Sequence, residues 1–164
     1  MQATAHPPAT PRPGATATTW LKLAIVYLMI GVGLGIAMGA TENFLMRPVH
    51  AHLNLLGWTT LALAGLIYSV YPEAGRSRLA KIHFWLHNIA LPAMMVSLTL
   101  LLMGHKEVVP VLGASEIVAL AGILVFACNI FLNVRAPAAT PVTKPHGQAR
   151  GDVRPALGSL ATGR

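Results

Sequence analysis

The sequence predicts an all-α integral membrane protein, a four-helix antiparallel bundle with both termini in the cytoplasm. Three observations predict it. Hydrophobic residues make up 54% of the 164 positions and charged residues only 10%, with a mean hydropathy of +0.60, whereas a soluble domain carries about a quarter charged residues. Four apolar runs each approach or exceed the ~20 residues that an α-helix needs to cross a bilayer. Lysine and arginine are also divided unevenly among the connections between those runs.

Residues 1–18 are rich in Ala, Pro and Thr without periodicity and read as a disordered tail. The first span covers roughly Trp20–Ala40. The long segment before it exceeds the short charged region of a secretory signal, so the span is expected to be retained, although its Ala-Met-Gly-Ala40 end has the small residues of a cleavage site. Gly31, Gly35 and Gly39, spaced by four, form a face that lets another helix approach closely, from the same bundle or from a second copy. The second span covers Pro48–Tyr71, the third Leu79–Met103 and the fourth Leu112–Val134. Short connections with breakers join them: Thr41–Arg47, Pro72–Arg78 and Gly104–Val111. Residues 19–135 thus form one four-span domain, and 136–164 read as a disordered basic tail.

Charge sets the expected orientation. Arg12 and Lys22 lie on the N-terminal side, Arg76, Arg78 and Lys81 around the second connection, and Arg135, Lys144, Arg150, Arg154 and Arg164 at the C-terminal side. The first and third connections hold only Arg47 and Lys106. By the positive-inside rule both termini face the cytoplasm of a bacterial-type inner membrane. The net charge of +7 therefore speaks to topology and not to nucleic acid. Cys128 is the single cysteine and excludes an intrachain disulfide. Glu42, Glu73, Glu107 and Glu116 fall at or near span ends, which argues against proton pumping. Lys22 and Lys81 can snorkel to the membrane surface. No nucleophile–base pair, phosphate loop or zinc motif is present.

Histidine carries the functional signal. His6 and His146 lie in the tails. His50 and His52 open the second span, His105 closes the third on the same side, and His83 and His87 open the third on the opposite side, four apart and so on one face. His83 and His105 are expected to face headgroup water. His50, His52 and His87 are site candidates, because an ionisable group at membrane depth marks a site by default. Haem suits such a setting: its iron takes axial histidine and its macrocycle needs an apolar slot that small residues leave open. Gly57 and Gly65, with Ala62 and Ala64, would provide the close approach. Asn54 and Trp58 could hydrogen-bond near the mouth, and Asn54, Asn88 or Thr59 could fix an imidazole tautomer. His52 and His87 are expected about 16 Å apart in height at 1.5 Å per residue, so one iron cannot use both within one upright helix pair.

The stretch RPVHAHLNLLGW, Arg47–Trp58, resembles the start of the second helix in the catalytic subunit of haem-copper oxidases (cytochrome c oxidase subunit I), especially the cbb3-type and nitric-oxide-reductase branches. There an Arg-Pro-x-His-like stretch presents a low-spin haem ligand, which implies His50 here. His50-Ala-His52 is also similar to the His-x-His of the family's tenth helix, whose imidazoles serve two haems; two residues apart on a helix point about 200° from each other. The family's catalytic subunit has many more helices, and its copper-site histidines have no counterpart in this chain. What the resemblance implies is a short relative that binds haem b through His50 or His52, with His87 as second ligand. It would act in electron transfer with a redox partner, or in binding or sensing a diatomic gas, as a homo-oligomeric dimer or trimer. Two rivals are a copper-binding protein using Met38, Met46 and Met103 beside His50, His52 and His105, and a structural or assembly protein with no cofactor.

Overall fold

The structure, a computed structural model, describes residues 15–135; 1–14 and 136–164, where most of both expected tails falls, lie outside the described residues. Every element among the described residues is helical: α1 (Ala15–Thr41), α2 (Arg47–Val70), α3 (Pro72–Arg76), α4 (Arg78–Leu102), a 3₁₀ turn at Lys106–Val108, and α5 (Val109–Asn133). Helices α1, α2, α4 and α5 are long and apolar enough to cross a membrane, α5 together with its 3₁₀ lead-in. They turn large hydrophobics outward: Met29 and Ile36 on α1, Leu55 and Leu63 on α2, Trp85 and Ile89 on α4, Ile117 and Phe131 on α5. A chain built for water would cover such residues, whereas a bilayer solvates them. This is a multi-pass membrane protein whose apolar helix faces meet lipid.

The element boundaries follow local chemistry. Helix α1 starts at Ala15, inside the segment expected to be tail, because Ala17 is buried against α2, its carbonyl lying 3.1 Å from where a Cβ on Gly65 would stand. The second connection is not all loop: Pro72 in a first turn, where its missing N–H costs nothing, starts the short α3. Ser77 caps α4, its Oγ accepting from Ala80 N–H at 3.0 Å. Helix α4 continues through Pro92 and ends at Leu102, two residues before Gly104, whose φ of 103° closes a Schellman turn. There Gly104 N–H donates to Leu101 O and His105 N–H to Leu100 O, each at 3.0 Å. Pro110 again fits a first turn, so α5 begins three residues before the expected Leu112.

Within α2 the residues Leu53–Thr59 wind as a π-helix. Thr60 N–H donates to Leu55 O, five residues back instead of four. Two hydroxyls reinforce the wider turn: Thr59 Oγ1 donates to Asn54 O at 2.9 Å and Thr60 Oγ1 to Leu55 O at 2.8 Å.

Helices α1 and α2 meet in antiparallel register, Gly35 opposite His50, Gly31 opposite Asn54, Gly57 opposite Tyr27 and Gly65 opposite Leu21. Helices α4 and α5 do the same, with Gly122 against Leu86 and Asn129 against Ser77. Trp20, fully buried, reaches from α1 to His83, Phe84 and His87 of α4. Above that bridge α1, α2 and α4 diverge around an apolar groove of about 590 Å³ lined by Tyr27, Leu34, Val49, Leu53, Pro92 and Met95, among others. At Gly65 a Cβ would stand 2.9 Å from Leu21 Cγ and 3.1 Å from the Ala17 carbonyl, so G65L is expected to force α1 from α2 and cost about 1–3 kcal/mol. Thermal unfolding in detergent, followed by circular dichroism, checks this against G39L, where nothing lies within 4 Å of the added Cβ and little change is expected.

Candidate functional site

The two ends of α2 hold different chemistry. At its first turn, Pro48 starts the helix and His50 faces α1. His50 Nδ1 lies 2.8 Å from Gly31 O. A carbonyl only accepts, so Nδ1 carries a proton, and in the neutral ring Nε2 is the nitrogen with a free lone pair. Nε2 has no hydrogen-bond partner among the described residues and is not sealed off from the surface. The ring rests against Gly35, where a Cβ would come within 2.8 Å of His50 Cε1. Asn54 sits one turn on, its Nδ2 donating to His50 O at 2.8 Å, with Gly31 making room for it. His52 Nδ1 likewise donates to Pro48 O at 2.8 Å within its own helix, leaving Nε2 free on a half-exposed ring. A histidine whose Nδ1–H is held by a backbone carbonyl offers a correctly oriented Nε2 to a metal. The sequence-predicted pair thus has the donor geometry of ligands, pointing in different directions.

His87 differs. It is buried, and its Nε2 donates to Leu56 O in the π-turn at 3.0 Å, leaving only a buried Nδ1 without a partner. Leu56 is six residues beyond His50 along α2, about 9 Å at 1.5 Å per residue, so the structure does not bring His87 to the His50 level. Of the other candidates, Gly57 packs on Tyr27 of α1, where a Cβ would stand 2.8 Å from Tyr27 Cβ. Gly65 also serves that interface. Trp58 is half-buried against the core. Asn88 Nδ2 donates to Phe84 O of its own helix. Neither His50 nor His52 lines the apolar groove. Met38 and Met46 share a smaller pocket of about 200 Å³ that no histidine lines, and exposed His105 pairs with Glu107 at 3.0 Å. Among the described residues no group of three or more His, Cys, Asp or Glu gathers to hold a metal.

The opposite end of the fold corrects one expectation. His83 does not face headgroup water; it is fully buried between Trp20 and Phe126, with ring centres 4.5 and 4.7 Å away and both planes tilted by about 30°. The sequence signal missed there is Asn129, a lone amide in the apolar run of α5. Asn129 is fully buried and fully bonded. Its Nδ2 donates to Tyr68 Oη at 3.2 Å and Ala74 O at 3.0 Å, while its Oδ1 accepts from Ser77 Oγ at 2.8 Å and Asn133 Nδ2 at 2.7 Å. Tyr68 Oη lies 3.1 Å from His83 Nδ1. One amide therefore ties α2, α3, the Ser77 cap and α5 together, and a chain of hydrogen bonds leads from it to His83.

Comparison of the chain with protein-family models, with curated proteins and with solved structures finds no match. The residues themselves carry the functional reading. For Asn129, truncation leaves several buried groups without partners at once. N129L is expected to destabilise the protein by about 1–3 kcal/mol, and S77A by about 1 kcal/mol through loss of the α4 cap. The double variant should cost less than the sum, because the two side chains share a bond; unfolding midpoints of the four proteins in one detergent check this.

Proposed function

We propose that this protein binds haem b at the Arg47–Trp58 end of α2, with His50 Nε2 as axial ligand. The observation that carries the reading is the 2.8 Å bond from His50 Nδ1 to the Gly31 carbonyl: it fixes the tautomer, orients the ring and leaves an accessible nitrogen of the kind that iron takes. The likeness of RPVHAHLNLLGW to the haem-copper oxidase catalytic subunit supports the same residue. His52, with the same tautomer, is the alternative donor on the other side of the helix. His87 fits poorly, since its Nε2 is engaged by Leu56 O and the remaining nitrogen is buried.

The single chain fits haem as a donor and not as a complete cage. The groove at α1, α2 and α4 is lined by no histidine, so the residues that would complete a haem site beside His50 would come from further copies of this chain, in a dimer or trimer, with lipid-facing hydrophobics as its walls. Bound haem supplies a one-electron centre or, with a coordination position open, a site for a diatomic gas. What this chain supplies is one oriented imidazole, an apolar surround and, in Asn54, an amide beside the ligand. The helices form an antiparallel bundle in a bacterial-type inner membrane, with both termini and the α2–α4 connection cytoplasmic; the positions of Lys22, Arg76, Arg78 and Lys81 support this. His50 then lies near the outer surface, close to where a soluble redox partner docks.

Titration of ferric haem into the purified protein in detergent, followed at the Soret band, tests the reading. Wild type and H87F are expected to bind with the same spectrum. H50A is expected to lose the band or weaken binding at least tenfold. G35L, which keeps the histidine but fills the space its ring occupies, is expected to shift the band and weaken binding comparably. Equal binding by wild type and H50A would point to His52 or to no specific site. For orientation, a cysteine replacing Glu107 in a Cys128→Ala background is expected to react with an impermeant maleimide from outside, and one replacing Arg76 only after lysis.

A further inference from the structure

The fully buried contact between α1 and α4 leaves three ring nitrogens without partners: Trp20 Nε1, His83 Nε2 and His87 Nδ1. The three rings adjoin one another, with centres 4.5 Å apart for Trp20–His83, 5.6 Å for His83–His87 and 6.0 Å for Trp20–His87. Their hydrogen-bond roles follow from the bonds they do make. Tyr68 Oη accepts from Asn129 Nδ2, and the acceptor within reach of its own buried proton, among the described residues, is His83 Nδ1; with that bond made, His83 is protonated at Nε2, a donor. His87 Nε2 donates to Leu56 O, so His87 Nδ1 is an acceptor. The indole N–H of Trp20 is a donor only.

Two buried donors and one buried acceptor in adjoining rings make a defined requirement. A molecule that meets it accepts twice, donates once, carries no charge and is small enough to lie among packed aromatic rings. Water does all of this. Buried waters make about three hydrogen bonds to groups that would otherwise go unsatisfied, and an orphaned buried polar group costs about 1–3 kcal/mol. A metal ion would use the His87 nitrogen but not the indole N–H, and it would require His83 to move its proton away from Nε2.

We infer that Trp20, His83 and His87 form an internal binding site for one ordered water molecule, which accepts from Trp20 Nε1–H and His83 Nε2–H and donates to His87 Nδ1. That water joins two separate sets of bonds into one chain: Ser77, Asn129, Tyr68, His83, water, His87 and the Leu56 carbonyl of the π-turn. The α3–α4 connection is thereby linked to the middle of α2 through exchangeable protons, within a region otherwise packed with hydrocarbon.

Proton-detected solid-state NMR of the full-length, ¹³C,¹⁵N-labelled protein in lipid bilayers tests this on the wild type. Both histidines are expected to be neutral Nε2–H tautomers by their ring ¹⁵N shifts, and magnetisation from water is expected to reach Trp20 Nε1–H and His83 Nε2–H. W20F should lose the first transfer and keep the second. H87F, which removes the acceptor, should weaken the transfer to His83 at least twofold. A His83 proton on Nδ1, no water transfer to either N–H of the wild type, or copper or zinc bound stoichiometrically with metal-shifted ring nitrogens would each overturn the inference.

Discussion

A polar group inside hydrocarbon has no bulk water to bond, so those that the sequence places there need a partner inside the protein, from the chain or from a molecule it encloses. That constraint accounts for most of what is particular about this fold. Apolar faces alone would let four greasy helices slide and rotate, because lipid tails solvate leucine as well as another leucine does. What fixes their positions is a small number of directional contacts. Asn129 binds four partners at one end, His87 takes the Leu56 carbonyl in the middle, and His50 holds the Gly31 carbonyl at the other end. Each ties one helix to another at a single register.

These contacts also separate the histidines by role. His83 and His87 are absorbed into the interior, in contact with each other and with Trp20, Tyr68 and Phe126. Their bonds position helices and leave no accessible nitrogen. His50 and His52 use only Nδ1 and keep Nε2 free. The same residue type thus serves as internal structure at one end and as an outward-facing donor at the other. The difference lies in which residue of α1 meets the ring: Trp20 seals the first pair, whereas Gly35 supports His50 from beneath without closing over it.

The helical class and the four spans were legible in the sequence because length and apolar composition are sufficient evidence for a crossing helix. Their ends were legible to within a few residues. Pro72 and Pro110 are prolines read as breakers that instead begin helices, since a first turn needs no N–H from them. The π-turn at Leu53–Thr59 was not legible; Thr59 and Thr60 gave no warning that their hydroxyls would follow the backbone back by five. At the site, His50 and Asn54 were readable from their place at the start of a span. The burial of His83 was not, because it depends on Trp20, which lies more than sixty residues away in sequence. Asn129 could have been found as the lone amide in an apolar run, a residue that must be either bonded or functional.

The central claim is that His50 offers its free nitrogen to a haem iron. The most direct measurement is a pyridine haemochrome assay on the protein purified from its own membranes without added haem, set against chain concentration. The account predicts b-type haem at a fixed ratio to chain, shared between copies, and its disappearance when His50 is replaced. Purified protein that contains no haem, or that keeps its haem after the replacement, would contradict it.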